Sequence, residues 1–468
     1  LTVPAAAANH DDGDHVGRVE LRGIDYIPPG ERHGQARELF AVWVASNITY
    51  LYIVLGGALI GLGLSAWEAI GVVVAGNLFW WLVGVLSVSG PASGTPSGVV
   101  MRAMFGVRGN RANVAIVGWA TSVAYEAINV SVGALAAFAL LTEAGIGVTI
   151  PLKLAVVVGL AVVTLTISVY GHATIVYLST YFTIALTAST VVLCVFVAPH
   201  VDLHARAAGV HQPAIVAALI GITVIASGPL SWNTASDYSR YLPAGTPARE
   251  ITWWVALGGF LPSVVLGTIG VLAGTAIDMT NPQTAFATIL PGWFYPIFLA
   301  VIIVGSITNN VLTAYSSGLG LQAMGVPWTR AITVLFDGVA GVALALYALF
   351  SPDFNTALEN ILTLSVSLLG PSLAIYAVDI ALRRNVYDGP ALHDESPQSP
   401  FWYQHGFNPA GITALVVGTG VALLCVNTAM LRGPVSNALD GADISALTGP
   451  LVAAAIYATM TIRARRNR

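Results

Sequence analysis

The residues able to do chemistry lie in four apolar stretches. Within 112–141, Trp119, Ser122, Glu126, Asn129 and Gly133 recur at steps of three or four, so they share one helical stripe, with Tyr125 one turn before Asn129. Within 293–320, Ser306, Asn309 or Asn310, Thr313 and Ser317 make a second polar stripe. Within 39–64, Ala45 is followed by Ser46, Asn47 and Thr49, polar groups in the middle of an apolar run. Within 213–241, Gly228 and Pro229 precede Trp232 and Asn233, and then Asp237 and Arg240. Proline has no N–H and collides with the preceding turn, so a helix break is predicted at Gly228–Pro229. In lipid, the carbonyls freed by such a break persist only where protein or a wet cavity satisfies them. Together these stretches offer amide donors and acceptors, hydroxyls and flat rings, an inventory that suits a small planar heterocycle: rings stack on it and Asn reads its edge. No metal-ligand spacing, phosphate loop or nucleophile paired with a base is present, and the nine His fall mostly in loops or tails. An enzyme is therefore not expected. Intramembrane Asn and Ser also serve as glue between helices, Glu126 can equally be a neutral or paired interior residue, and Trp119 reads as packing.

The elements that must position these residues follow from composition. The chain has 468 residues, of which 56% are hydrophobic and 9% charged, against roughly 25% charge in a soluble domain. Runs reaching the about 20 residues that cross a bilayer recur throughout. Twelve spans are predicted, numbered in order: 39–64, 67–90, 112–141, 151–171, 173–198, 213–241, 251–277, 293–320, 329–350, 356–382, 408–428 and 444–462. Residues 1–38 read as a polar tail without the apolar core of a signal peptide. Residues 91–111 read as a Gly/Ser/Pro-rich loop ending in basic residues, 282–291 as a short helix on a loop, and 383–407 as a polar loop. A net charge of −4 gives no reason to expect nucleic acid as a partner. Cys194 and Cys425 both fall in apolar spans and read as buried thiols.

Basic residues set the orientation. With the tail inside, cytoplasmic segments hold sixteen of the 19 Lys and Arg, and only Lys153, Arg206 and Arg432 lie outside. That asymmetry predicts a multi-pass protein of the cell membrane with both termini, including 463–468, in the cytoplasm. The polar interruption in span 1 and the Gly-Pro in span 6 lie five spans apart, and an odd offset gives two copies of opposite orientation. Inverted repeats with broken first helices place substrate near the midplane. The predicted fold is thus all-α, with residues 39–198 (spans 1–5) and 213–382 (spans 6–10) as the two repeats, a loop over 383–407, and two further helices in 408–462.

Several segments resemble nucleobase–cation symporter family one, specifically its purine/cytosine permease branch. They are the tail from Glu20 to Arg32, the loop from Arg102 to Gly109, the signature from Asp237 to Pro243, and span 8 from Thr308 to Asn310 with Tyr315 to Gly320. The resemblance covers about residues 20 to 380 and implies a five-plus-five transporter of the amino-acid/hydantoin type working by alternating access. It implies a base held between aromatics of spans 3 and 6 with amides from spans 3 and 8. Carried over residue by residue, these are Tyr125, Asn129, Trp232, Asn233, Asn309, Asn310 and Thr313, with Ser46 and Asn47 of the span 1 break beside them. Tyr125 stands where fungal relatives carry Trp, and Thr313 where they often carry Asn. Asp237 and Arg240 match the signature at the cytoplasmic gate and are expected to form a local ion pair. In sodium-coupled members the cation lies between the span 1 break and span 8. Here that site would use the carbonyls of Ala45 and Gly305 with the Thr308 hydroxyl, but its second hydroxyl position is Asn309. Proton coupling needs a titratable group, and Glu126 is the acid placed near the midplane of spans 1, 3, 6 and 8. The expected activity is symport of a nucleobase with H+ or Na+, the proton being favoured, and no bound cofactor. An allied heterocycle such as allantoin, a hydantoin or a vitamin is the alternative cargo. A channel would need rings of identical residues about an oligomer axis, which unlike breaks in spans 1 and 6 do not supply. The oligomeric state is not fixed by the sequence.

Overall fold

The computed structural model describes residues 15–205, 212–279, 282–350 and 354–466. Residues 1–14 of the tail, with Arg206 and Arg468, lie outside that set. Among the described residues ten helices are long and apolar enough to cross a bilayer: Ala66–Ser93, Val107–Glu143, Ile150–Tyr170, His172–His200, Ala214–Tyr238, Ala248–Gly274, Tyr295–Ala323, Arg330–Leu349, Asn360–Arg383 and Ser445–Arg466, which are spans 2 to 10 and 12. Span 1 is the pair Glu38–Asn47 and Tyr50–Gly61, bent by 55°, and span 11 is the shorter apolar helix Pro409–Cys425. The twelve spans of the sequence are thus all present, with boundaries shifted by a few residues.

Local chemistry makes the bend in span 1. The Asn47 amide donates to the Trp43 carbonyl at 2.8 Å and accepts from the Tyr52 hydroxyl at 3.1 Å, tying the two half-helices across the break. Thr49 restarts the helix by accepting from the Leu51 N–H. Gly305 of span 8 is glycine because a Cβ there would stand 2.5 Å from the Ile48 carbonyl. Span 6 corrects the expected position of its break. The helix runs through Gly228 and Pro229 to Leu230, where Ser231 caps it by donating its hydroxyl to the Gly228 carbonyl at 2.7 Å. A turn over 231–234 then leads to a 3-10 turn, Ala235–Tyr238. Pro229 sits so near the helix end that few carbonyls depend on it. Gly228 instead allows a close approach: a Cβ would meet the Tyr52 hydroxyl at 2.6 Å.

The spans pack as two groups. Span 7 lies against both halves of span 1 and against span 2, and span 6 against span 2. Span 3 lies against spans 8 and 9, which touch each other and span 4. Spans 11 and 12 pack on one another and on span 10. A ring cluster fills the first group: Trp43 meets Trp80, Trp232 and Tyr238 edge-on at 5.4, 5.0 and 5.4 Å. Spans 4 and 5 turn apolar rows outward, among them Leu154, Val158, Val162, Ile184, Val191 and Val195, the face a lipid-bathed helix shows.

Three connecting segments are more ordered than their composition predicts. The 91–111 loop contains short helices, Ser97–Val100 and Arg102–Phe105. Buried Arg102 pairs with Glu395 of the 383–407 loop at 2.5 Å, so the two loops pack together. The tail from His15 onward is folded onto the bundle, with Glu20, Ile27 and Ala36 buried. Arg32 pins it by donating to the carbonyls of Ile27 and Pro91 at 2.9 and 2.6 Å. The 282–291 segment carries the expected short helix, Pro282–Ala285.

Candidate functional site

A cavity lies between the two groups of spans. One wall is the span 1 break and the end of span 6: Thr49, Leu51, Tyr52, Gly228, Ser231, Trp232 and Thr234. The other is a face of spans 3 and 8: Ser122, Tyr125 and Asn129 with Asn309, Thr313 and Ser316. The space between the walls, openings included, is about 540 Å³. Three rings border it, Tyr52, Tyr125 and Trp232, with two amides and a set of hydroxyls.

A chain of amides crosses the cavity floor and its direction is fixed at one end. The Ser46 carbonyl can only accept, so Asn309 turns its Nδ2 to it at 2.7 Å. Asn309 Oδ1 therefore faces span 3 and receives Asn129 Nδ2, also at 2.7 Å. Asn129 is left with its Oδ1 unbonded by any described residue, an acceptor bordering the cavity. The rings are equally constrained. The Tyr125 hydroxyl bonds the Ser227 carbonyl and Ser365 Oγ, each at 3.0 Å, so spans 6 and 10 fix the ring as a wall. Trp232 is held edge-on against Trp43.

The structure sorts the residues expected from sequence. Tyr125, Asn129, Trp232, Asn309 and Thr313 come together around the cavity. Asn233 does not line it; it borders an adjoining space with Trp119, Asp237 and Ser317. Asn310, one residue round the helix from Asn309, is buried with its Oδ1 unpartnered among the described residues. Ser46 and Asn47 are wholly buried and hold the span 1 break through Trp43 and Tyr52. Missed residues are Tyr52, Thr49, Ser231, Thr234 and Ser316, and Ser122 was placed on the stripe but not at the site. Tyr52 carried a usable signal, since a helix restarting after Thr49 puts it a full turn past Thr49. The oxygens named as possible cation ligands do meet: the Thr308 hydroxyl lies 2.9 Å from both the Ala45 and Gly305 carbonyls. Asn309 does not present its oxygen there, because that atom is bonded to Asn129.

Two expectations about charge are corrected. Asp237 and Arg240 do not form the expected ion pair with each other, and both are buried, 1% and 0% exposed. Asp237 accepts from the Ser97 N–H at 2.7 Å. Arg240 pairs with Glu20 of the tail at 3.0 Å, and Arg330 of span 9 approaches the same carboxylate at 3.7 Å. Tyr241 Oη, Tyr315 Oη and the His172 N–H also donate to Glu20, at 2.6, 3.2 and 2.9 Å. Glu20 thus joins span 6 of one group to span 9 of the other. A carboxylate inside a polar tail gave no sequence sign of this role, because its partners lie 152 to 310 residues away.

Glu126 is the second correction. It is not on the cavity face: Ser122, Tyr125 and Asn129 hold that face, and Glu126 turns toward span 9. Nor is it alone, since Asp337 of span 9 meets it. Trp119 is more than packing, because its Nε1 donates to Asp337 Oδ1 at 2.7 Å.

Residues 26–449 match the family described as permease for cytosine/purines, uracil, thiamine, allantoin. YxlA of Bacillus subtilis (strain 168), which carries the name of a purine-cytosine permease, is 26% identical over 458 residues, covering 94% of this chain and 95% of its own length. In fold the chain is similar to Mhp1, described as a nucleobase-cation-symport-1 family transporter, in a closed conformation with bromovinylhydantoin bound. That likeness has a TM-score of 0.78 at 16% identity and covers 95% of this chain and 96% of the other. Inward-facing Mhp1 matches with a TM-score of 0.71 at 17% identity, over 96% of each chain. A Na+-coupled sialic acid symporter in its substrate-bound outward-open state matches with a TM-score of 0.60 at 10% identity, over 93% of this chain and 91% of the other.

Proposed function

The chain belongs to nucleobase–cation symporter family one, in its branch of permeases for cytosine/purines, uracil, thiamine and allantoin, and from that membership we propose that its cargo is cytosine or a purine, imported together with a proton. It is a multi-pass secondary active transporter. One observation carries the choice of cargo: the ring-walled cavity has an amide oxygen, Asn129 Oδ1, whose direction is fixed by the Ser46 carbonyl two bonds away. Such an oxygen accepts an N–H or an exocyclic amino group on the edge of a flat base, while Tyr125 and Trp232 supply the faces. The direct test is uptake of labelled cytosine and adenine by cells expressing the protein, with a panel of unlabelled bases, allantoin and hydantoins as competitors. Competition by the last two alone would move the cargo to the allied heterocycles, a reading favoured by the fold likeness to Mhp1, whose closed form has bromovinylhydantoin bound.

Loading from outside and release inside follow from the orientation we assign, with both termini in the cytoplasm and the protein in the cell membrane. The excess of basic residues in the tail, the 91–111 loop and the C-terminus supports it. The proton is preferred to sodium because Asn309 spends its oxygen on Asn129, where a hard cation beside Thr308 would need it.

A further inference from the structure

Glu126 and Asp337 are 1% and 0% exposed and lie within hydrogen-bonding reach of each other. Asp337 Oδ1 takes two donors, Trp119 Nε1 at 2.7 Å and Ser317 Oγ at 2.5 Å. Glu126 Oε1 and Asp337 Oδ2 are buried with no partner among the described residues. Gly341 makes the room: a Cβ there would stand 2.9 Å from Glu126 Oε2. Among the described residues no Lys, Arg or His pairs with either carboxyl, and each is the titratable group that faces the other from spans 3, 8 and 9. Arg330, also on span 9, is turned to Glu20 and to the Ser168 and Val169 carbonyls. Two carboxylates at close range in low dielectric, without a cation, are strongly disfavoured; a shared proton removes the repulsion.

We propose that Glu126 and Asp337 are the carrier site for the cotransported proton, joined by one O–H···O bond when loaded and standing as two carboxylates when empty. The site rests on the proton-coupled reading above and deepens it. The donors that hold Asp337 also border a space: Trp119 and Ser317 line the adjoining cavity with Asp237. That cavity shares Ser122, Thr234 and Ser316 with the ring-walled one. The layer of Trp119 and Ser317 thus stands between Asp337 and that cavity. The proton comes from the side to which that cavity is open and leaves, after the change of access, to the other. Loss of the proton sets two negative charges against each other between spans 3 and 9. Span 3 also carries Ser122, Tyr125 and Asn129, so its displacement alters the wall on which the base rests.

The test uses the full chain in liposomes, in sodium-free buffer, with a pH gradient of one unit and labelled cytosine or adenine outside. Wild type should accumulate the base roughly tenfold at one proton per molecule. Glu126→Gln and Asp337→Asn should each bring the ratio close to one while exchange of labelled for unlabelled base persists, and Glu126→Asp should restore part of the accumulation. Gradient-driven accumulation at the wild-type level in either amide variant overturns the proposal and leaves the transport reading standing. If wild-type protein moves neither base, it is the transport reading that fails. The proton site is then judged without substrate, by infrared titration of the reconstituted protein. A protonated-carboxyl stretch that disappears in both amide variants supports it, and unchanged spectra overturn it. Should an amide variant not fold, Trp119→Phe replaces it: removal of one donor to Asp337 should shift the pH midpoint of the carboxyl band, and an unmoved midpoint counts against the site.

Discussion

Two of the acid sites buried in this molecule are built on opposite plans. Glu20 is surrounded by two guanidinium groups, two tyrosine hydroxyls and a backbone N–H, so its negative charge is matched from several directions. Glu126 and Asp337 face each other with two neutral donors and, among the described residues, no cation. Glu20 joins the two groups of spans; the carboxyl pair lies inside one of them. A matched charge holds elements in place through its partners. An unmatched pair holds them only as long as a proton is present, and that is the difference between a clamp and a switch.

The comparison can be broken most sharply at Arg240. Arg240→Ala removes one partner of a buried ion pair, a change that costs about 3–5 kcal/mol. The variant should show a large fall in melting temperature in detergent, or fail to elute as a folded species. A melting curve superimposed on that of wild type would mean that Glu20 is not a clamp. Next in size is a change at the cavity itself. Asn129→Ala removes the free acceptor and should weaken base binding by about 1–3 kcal/mol, with KM for uptake rising about 5- to 150-fold. Its melting temperature should fall only slightly, since the Asn309 oxygen it releases borders the cavity; unaltered KM would remove Asn129 from the binding site. Trp232→Phe keeps a ring but loses area and the edge contact with Trp43, worth about 0.5–1.5 kcal/mol. Transport should persist with weaker binding, measured by competition with unlabelled base. The smallest effect sharpens the contrast: Glu126→Gln should change thermal stability by less than about 1 kcal/mol, because an amide relieves a like-charge pair instead of orphaning a partner. A loss as large as that of Arg240→Ala would place both acid sites in the same class.

Length and polarity made most of this architecture legible. Every span but the eleventh reaches the about 20 residues a bilayer needs, and the run of polar residues after Ala45 announced the bend of span 1. Span 6 was misread by two residues because Pro229 was taken as the breaker, whereas proline near a helix end displaces little. The site was legible on span 3 for Tyr125 and Asn129, where a helix without interruption keeps its periodicity. It was less legible on span 1, where the break resets the phase and brings Tyr52 instead of Asn47 to the cavity. Asp337 had a signal of its own, a lone acid in an apolar helix, but the choice of spans 1, 3, 6 and 8 as the working core left it aside. Glu20 had none, since nothing local to a polar tail shows what will surround it.

The clamp at Glu20 also sets an order in time. Glu20 leaves the ribosome long before its partners: Arg330 follows 310 residues later. At about 5–20 residues per second of synthesis, that is a wait of roughly 15–60 s. Through that interval the carboxylate has to stay hydrated while eight spans enter the membrane and the ninth begins. The tail can be seated only as a late step of assembly, when both guanidinium groups are in place. A fault in any span up to the ninth would therefore leave an unseated, solvent-exposed tail, open to proteases that the finished protein keeps out.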